Sequence, residues 1–118
     1  MATGDPGAQE LGRAVIEQAV TFSIEAAHLT DGDPRLHGHS YVIEVWTSRP
    51  RDFAALEIEV QSVRSAVDHT LLNESIGGTT MEHLAQWLLD RFAFLPATRV
   101  VVRRPTLGYL VEARPEQG

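Results

Sequence analysis

Two stretches near the start of the chain alternate apolar and polar residues, which is the pattern of a half-buried β-strand. The first covers residues 15–26, and the second covers residues 36–47. The sequence LTDGDPR between them contains Asp-Gly and Asp-Pro pairs, which are typical of a loop with turns. Because successive side chains of a strand point to opposite faces, His37 and His39 should share one face of the second strand.

An amphipathic helix follows the second strand. Its apolar residues recur at alternating spacings of three and four, which places them on one helix face: Phe53, Leu56, Val60, Val63 and Val67. Asp52 is suited to cap the start of this helix, and the helix should end near Asp68 and His69.

A second amphipathic helix should begin at residues 79–82, where Thr79 and Glu82 have the spacing of a capping box. Its apolar face comprises four residues with Trp87 beside them: Met81, Leu84, Leu88 and Phe92. Two short strands, residues 98–102 and 108–113, complete the pattern. The order ββααββ predicts an α+β domain with antiparallel strands and both helices on one face.

Composition restricts the class of protein. The chain has 118 residues, of which 43% are hydrophobic, so a single domain over residues 14–113 is expected, with a flexible tail at 1–13 and a C-terminal tail at 114–118. A net charge of -6 argues against nucleic acid or a membrane surface as partner. No apolar stretch is long enough to span a bilayer, and we therefore expect a cytoplasmic protein. Cysteine is absent, so any metal must be held by nitrogen and oxygen.

Histidine spacing supplies the first chemical hypothesis. His28, His37 and His39 account for three of the five histidines, and pairing of the first two strands would bring them together. Three neutral imidazoles with a fourth position open are what a catalytic zinc ion requires. A single histidine in a strand is more often a packed or surface residue, but three at this spacing favour a metal site. Ile43 and Val45 share their face, which would place the site at the end of an apolar surface.

Longer phrases of the chain resemble the 6-pyruvoyltetrahydropterin synthase and 6-carboxytetrahydropterin synthase family. They are FSIEAAH, RLHGHSYVIEV, the Asp-His pair and TTMEHLAQW, in this order, over about residues 15–112. The resemblance implies a T-fold, which is a four-stranded antiparallel sheet with two helices on one face. It also implies a homo-oligomer, usually a hexamer, with active sites between subunits. The exposed edges of so small a sheet are consistent with such assembly.

The resemblance also implies roles for individual residues. His28, His37 and His39 match the family's zinc ligands. Asp68 and His69 match the pair that orients and transfers protons, although the same pair could be only a polar helix end. Thr80 and Glu82 match the segment that flanks the bound pterin, although a helix cap alone would explain Glu82.

Two positions depart from the family pattern. Asp33 stands where the family has a proton-transferring cysteine; it could act as an acid or base, or serve only as the turn residue of its Asp-Pro loop. Arg104 stands where the family has a glutamate that binds the pterin. An arginine there would repel the donor edge of a pterin and would suit a carboxylate, phosphate or carbonyl instead. Glu112 is too far along the hairpin to substitute.

Three functions follow from this pattern and stay open. The favoured one is a divergent zinc-dependent homologue, lyase-like or synthase-like, that acts on a pterin-like or other small oxygenated substrate by metal polarisation and proton transfer. The second is an active 6-carboxytetrahydropterin synthase-type lyase on dihydroneopterin triphosphate. The third is a non-catalytic zinc-binding scaffold. Because the first is favoured, the expectation leans towards an enzyme, a zinc-dependent lyase or synthase in which the family cysteine is replaced.

Overall fold

The computed structural model describes residues 9–11 and 14–116. A small antiparallel ribbon pairs β1 (Gln9–Leu11) with β2 (Ala14–Ile16). The main sheet has five strands in the spatial order β5, β3, β4, β6, β7. Their bounds are β3 (Gln18–Thr30), β4 (Asp33–Thr47), β5 (Thr70–Leu71), β6 (Ala97–Arg104) and β7 (Tyr109–Ala113).

The sheet corrects two predictions from the sequence. It is mixed rather than purely antiparallel, because the two-residue β5 pairs in parallel with β3 at Ala26 and Ala27. A strand of two residues is too short to produce a detectable alternation of apolar and polar positions. In addition, β1 lies inside the segment predicted as a tail; residues 1–8, 12–13 and 117–118 lie outside the described residues.

The hairpin of β3 and β4 dominates the fold. Its pairing runs from Gln18 opposite Thr47 to Thr30 opposite Asp33, so the predicted loop contracts to the two residues Asp31 and Gly32. Gly32 has φ +78, which a glycine adopts without steric cost. Both strands therefore extend further towards the turn than predicted, although β3 begins at Gln18 and residues 14–16 form the separate strand β2. All three clustered histidines lie on this hairpin.

The first helix, α1 (Phe53–Arg64), confirms the predicted cap: the Asp52 carboxylate accepts from the Ala55 N–H at 3.3 Å. Two details differ from the prediction. The helix ends at Arg64, before turns that lead to β5, and Phe53 is 53% exposed rather than part of the buried face. A single turn, α2 (Leu72–Ser75), follows β5.

The second long helix, α3 (Met81–Arg91), is capped by Thr80, so the predicted capping box of Thr79 and Glu82 is wrong. The Thr80 Oγ1 accepts from the His83 N–H at 3.0 Å and also lies 2.9 Å from the His83 Nδ1. The residue three positions after the cap is therefore a histidine whose ring contacts the cap hydroxyl rather than the cap N–H, and Glu82 lies exposed in the first turn. Phe92 continues into a short 3-10 helix, Phe92–Phe94.

Both helices pack on one face of the sheet, as predicted. Alternate side chains of β3, β4 and β6 share one core cluster with buried residues of α1 and α3: Ile24, Ile43, Val45, Val100, Val102, Leu56, Val60, Leu84 and Leu88. Burying each such side chain stabilises the fold by about 1.5–3 kcal/mol. The opposite face carries ion pairs, such as Arg103 with Glu44 at 3.1 Å. In the part of the chain that the structure describes, no helix is long and apolar enough to cross a membrane.

Candidate functional site

The three clustered histidines converge on the helix-bearing face of the sheet. His28 pairs directly with His37 across the hairpin, and the ring centroids of His28 and His39 are 4.8 Å apart. The His37 ring lies 5.9 Å from His28 and 6.3 Å from His39. Tyr41, which is buried, packs edge-on against His39 with 6.1 Å between centroids. The cluster therefore adjoins the buried apolar row of β4, as the strand alternation predicted.

His28 and His39 are linked by hydrogen bonds that determine where their protons sit. The His28 Nδ1 lies 2.8 Å from the carbonyl oxygen of Thr79, which can only accept, so this nitrogen carries the proton. The Arg104 Nη2 lies 2.9 Å from the His39 Nδ1 and can only donate. The Nε2 atoms of the two rings are 3.0 Å apart. Burial, and then the charge of Arg104, lower the pKa of His39, which favours a neutral ring.

The third ring, His37, is engaged by a carboxylate. Its Nε2 lies 2.9 Å from the Asp33 Oδ2. Asp33 also accepts from the Arg35 backbone N–H at 3.0 Å and from its guanidinium at 3.1 Å. These bonds, chiefly those from Arg35, hold the pKa of Asp33 well below its usual range. Asp33 is therefore ionised at neutral pH and has no proton to donate, but it is placed to orient His37.

The fit of this cluster to a zinc ion is incomplete as the rings stand. Two imidazole ligands on tetrahedral zinc are separated by about 3.3 Å, given bonds of about 2.0–2.1 Å. The 3.0 Å between the Nε2 atoms of His28 and His39 is close to that value. Within residues 9–11 and 14–116, however, no three His, Asp or Glu side chains are already arranged as a metal-binding group. The donor set suits zinc, but His37 would have to exchange Asp33 for the metal.

Asp68 and His69 lie in the turns between α1 and β5. The Asp68 Oδ1 accepts from the Glu25 N–H at 2.9 Å, and its Oδ2 lies 3.1 Å from the His69 Nδ1 and 3.2 Å from the Arg64 guanidinium. The Glu25 N–H is the main cause of a lowered pKa at Asp68. The pair is thus an ionised carboxylate beside an exposed imidazole.

The backbone of His69 is strained. Its φ is +57, in the left-handed region, and its N–H donates to the Glu25 carbonyl at 2.6 Å. Strain of this kind costs about 1–3 kcal/mol and is concentrated at functional sites. The turn therefore holds His69, the residue predicted to transfer protons, in a backbone conformation that costs folding free energy.

A surface pocket of about 400 Å³ lies beside the short strand β5. His39 and His69 are among the residues that line it, together with Leu36, Gly38 and Leu71. Leu36 and Gly38 alternate with His37 and His39 along β4, so the pocket opens mainly on the face of the sheet opposite the histidine cluster. The structure therefore brings His69 near the segment that carries His39 but does not place the two imidazoles on one face.

The remaining predicted residues lie in different environments. Arg104 directs its guanidinium at the cluster, whereas Arg103 points to the opposite face, as the strand alternation required. Thr80 uses its hydroxyl in the helix cap, and Glu82 is exposed. Glu112 pairs with Arg99 at 3.7 Å, so its carboxylate is not available to the site.

Three participants were missed from the sequence: the carbonyl of Thr79, the ring of Tyr41 and the guanidinium of Arg35. A backbone carbonyl leaves no trace in residue types, so Thr79 could not have been found. Tyr41 continues the alternation of His37 and His39 along β4 and could have been found by extending that pattern by one step.

The sequence model of the 6-pyruvoyl tetrahydropterin synthase family matches residues 17–104. The chain belongs to this family. The matched range contains the histidine cluster, the Asp68–His69 pair and Arg104, so the family assignment covers every predicted site residue. None of the curated protein sequences matches the chain significantly.

Solved structures share the fold, among them members of this family. The 6-pyruvoyl tetrahydropterin synthase of Caenorhabditis elegans superposes with a TM-score of 0.72 at 19% identity, covering 86% of this chain and 96% of the other. A catalytic-residue mutant of the Plasmodium vivax enzyme gives 0.63 at 18% identity, covering 85% and 98%. An uncharacterized protein from Wolinella succinogenes gives 0.55 at 18% identity, covering 86% and 98%. The architecture is therefore the T-fold of this family.

Proposed function

We propose that the protein is a divergent zinc-dependent member of the tetrahydropterin synthase family that acts on a small oxygenated substrate, pterin-like or other. The observation that carries this proposal is the convergence of His28, His37 and His39 on one face of the β3–β4 hairpin. The separation of 3.0 Å between the Nε2 atoms of His28 and His39 supports a shared ligand between them.

His28, His37 and His39 would hold the zinc ion, which when bound supplies a Lewis acid for a substrate oxygen. The Thr79 carbonyl accepts the Nδ1 proton of His28 and so keeps its Nε2 lone pair directed towards the cluster. Such outer partners fix the orientation of a ligand ring before a metal arrives.

Proton transfer is assigned to His69. Asp68 lies 3.1 Å from the His69 Nδ1, so its carboxylate stabilises a proton on that nitrogen and leaves the Nε2 to take up or release the transferred proton. The exposure of the imidazole, 77% of its side chain, is consistent with contact to a substrate. Asp33, being ionised, holds the His37 ring through its Nε2 until the metal takes that nitrogen.

Arg104 is the residue that separates this protein from a standard family enzyme. Its guanidinium points at the histidine cluster, at the position where the resemblance implies a glutamate. A donor-only cation there suits a substrate carboxylate, phosphate or carbonyl. Thr80 and Glu82 begin the helix that would flank this substrate, with Thr80 committed to the cap.

Two other functions have support. Family membership favours an active 6-carboxytetrahydropterin synthase-type lyase on dihydroneopterin triphosphate, and Arg104 opposes it. A non-catalytic zinc scaffold is favoured by the Asp33 carboxylate 2.9 Å from His37, because a fourth protein ligand would close the coordination shell.

The proposal also covers the assembly of the protein, its location in the cell and its partners. The sheet has edges at β5 and β7, and Tyr109 and Leu110 on β7 are about half exposed. Unpaired edges with apolar side chains favour assembly into a homo-oligomer, a hexamer by family resemblance. We place the protein in the cytoplasm with a small-molecule substrate and with neither nucleic acid nor membrane as partner.

Fluorescence titration with neopterin tests the change of specificity. Zinc-loaded wild-type protein should bind neopterin weakly, and Arg104→Glu should bind it about tenfold or more tightly, because a carboxylate accepts from the amino edge of the pterin. Arg103→Glu, which makes the same charge change on the opposite face, should leave the affinity unchanged. Tight binding by the wild-type protein would contradict the change of specificity and favour the lyase.

Turnover of any substrate that the zinc-loaded protein accepts separates an enzyme from a scaffold. We expect His69→Ala to lower kcat by about 10²–10⁴-fold, the usual contribution of a proton-transfer residue. A protein that turns over none of the pterin or oxyacid candidates, and that holds zinc through Asp33 as a fourth ligand, would be the scaffold.

A further inference from the structure

Arg104 makes a contact that constrains the chemistry of His39. The Arg104 Nη2 lies 2.9 Å from the His39 Nδ1. A guanidinium carries only donors and does not lose its proton in proteins, so the Nδ1 has to accept. A neutral imidazole has one N–H, and that proton is therefore on the His39 Nε2.

The neighbouring contacts agree with this assignment. The His39 Nε2 faces the His28 Nε2 at 3.0 Å, and the His28 Nδ1 lies 2.8 Å from the Thr79 carbonyl oxygen. With the proton of His28 on Nδ1, its Nε2 is free to accept from His39. The three hydrogen bonds then run in one direction, from Arg104 through both rings to Thr79, and every donor meets an acceptor.

We propose that Arg104 determines the metal affinity of the cluster by holding His39 in the tautomer whose Nε2 is protonated. This inference rests on the proposed zinc site. For His39 to bind a metal through Nε2, its proton has to move to Nδ1, where it would face the donors of Arg104. Metal binding therefore requires the guanidinium to leave His39, and the lost charge-assisted hydrogen bond weakens binding by about ten- to a hundredfold.

The tautomer can be measured without any metal. Long-range ¹H–¹⁵N spectra of the metal-free protein should show the His39 Nε2 protonated and the Nδ1 bare. Arg104→Met, which keeps an apolar stem and removes the donors, should raise the fraction of His39 protonated on Nδ1 from near zero to a measurable population, while the acceptor at the His28 Nε2 keeps the rest of the proton on the His39 Nε2. Arg103→Met, on the opposite face beside Glu44, should leave the spectrum of His39 unchanged. A protonated Nδ1 in the wild-type protein would overturn the inference.

Zinc affinity, measured by competition with a chromophoric chelator, tests the consequence. Arg104→Met should bind zinc about ten- to a hundredfold more tightly than the wild type, whereas Arg103→Met should bind like the wild type. Equal zinc affinities of the wild type and Arg104→Met would show that Arg104 does not compete with zinc for His39, even if the site binds zinc. If none of the three proteins binds zinc, the proposed zinc function is wrong. The spectra of the metal-free protein test the Arg104–His39 contact independently of that result.

Discussion

Each of the three clustered histidines has a different kind of partner. His28 donates to a carbonyl, His39 accepts from a guanidinium, and His37 meets a carboxylate. These partners determine which nitrogen of each ring is available, and so they decide how readily the cluster could take a metal. The alternation of β4 was enough to predict that His37 and His39 share a face. The partner of His39 lies 65 positions away in the sequence, and only the packed sheet brings the two together.

Asp68 allows a prediction about pH at the scale of one residue. Its pKa is lowered in the folded chain, chiefly by the Glu25 N–H. A carboxylate with a lowered folded-state pKa adds stability that is fully present above its unfolded pKa, about 3.9, and is lost as the pH falls through the folded-state value. We therefore expect Asp68→Asn to unfold at lower urea concentration than the wild type at neutral pH.

The difference between Asp68→Asn and the wild type should shrink once the pH falls below about 4. Urea unfolding over a series of pH values measures it. Asp31→Asn, at an exposed turn residue, should track the wild type throughout. A stability difference that stays constant down to the acid limit would show that the Asp68 charge is not what stabilises the turn.

The loop before α3 is the element that connects the helix to the cluster. Gly77 has φ +71, and a Cβ on Gly78 would lie 2.6 Å from the His83 Cγ. His83 in turn meets the Thr80 cap, and the next carbonyl back, that of Thr79, accepts from His28. The two glycines therefore let the loop pass close to the helix and present that carbonyl to the histidine.

Substitution of Gly78 by alanine tests this arrangement. We expect Gly78→Ala to lower the free energy of unfolding by about 1–3 kcal/mol, as overpacking does. His83→Gly removes both side-chain carbons that the new Cβ would strike, the Cγ at 2.6 Å and the Cβ at 2.7 Å, so the double variant should lose much less than the sum of the two single losses. Urea unfolding of all four proteins gives the coupling. Additive losses of unfolding free energy would show that the destabilisation by Gly78→Ala does not come from contact with His83.

Elements were predictable where a long pattern or a local bond defined them. The Asp52 cap is confirmed because its bond is local to the first turn of α1. The cap of α3 is Thr80 rather than the predicted Thr79, because both threonines suit a cap and the sequence does not distinguish them. The strand β5 was missed because two residues show no period, and the ends of β3 and β4 were underestimated because the Asp31–Gly32 turn is tighter than its polar composition suggests.

At the scale of the whole molecule, the family sequence match and the superpositions establish the T-fold, and the sheet leaves β5 and β7 as its edges. Assembly through these edges is a proposal that one exposed leucine can test. Leu110 lies on β7 and is 49% exposed, and Leu107, 51% exposed, precedes that strand in the turn.

Leu110→Lys should shift the protein from an oligomer to smaller species, because a lysine opposes pairing at a sheet edge. Leu107→Lys should leave the oligomer intact. Sedimentation velocity at several protein concentrations distinguishes the two results. A wild-type chain that sediments as a monomer at all concentrations would contradict the proposed assembly.

The central claim is a zinc site made by His28, His37 and His39, and metal analysis tests it most directly. Protein loaded with zinc, freed of excess metal by gel filtration and measured by inductively coupled plasma mass spectrometry should contain about one zinc ion per chain. His28→Ala and His39→Ala should lose most of it, and His83→Gln should retain it. A wild-type protein that retains almost no zinc, or a His28→Ala variant that retains as much as the wild type, would contradict the account.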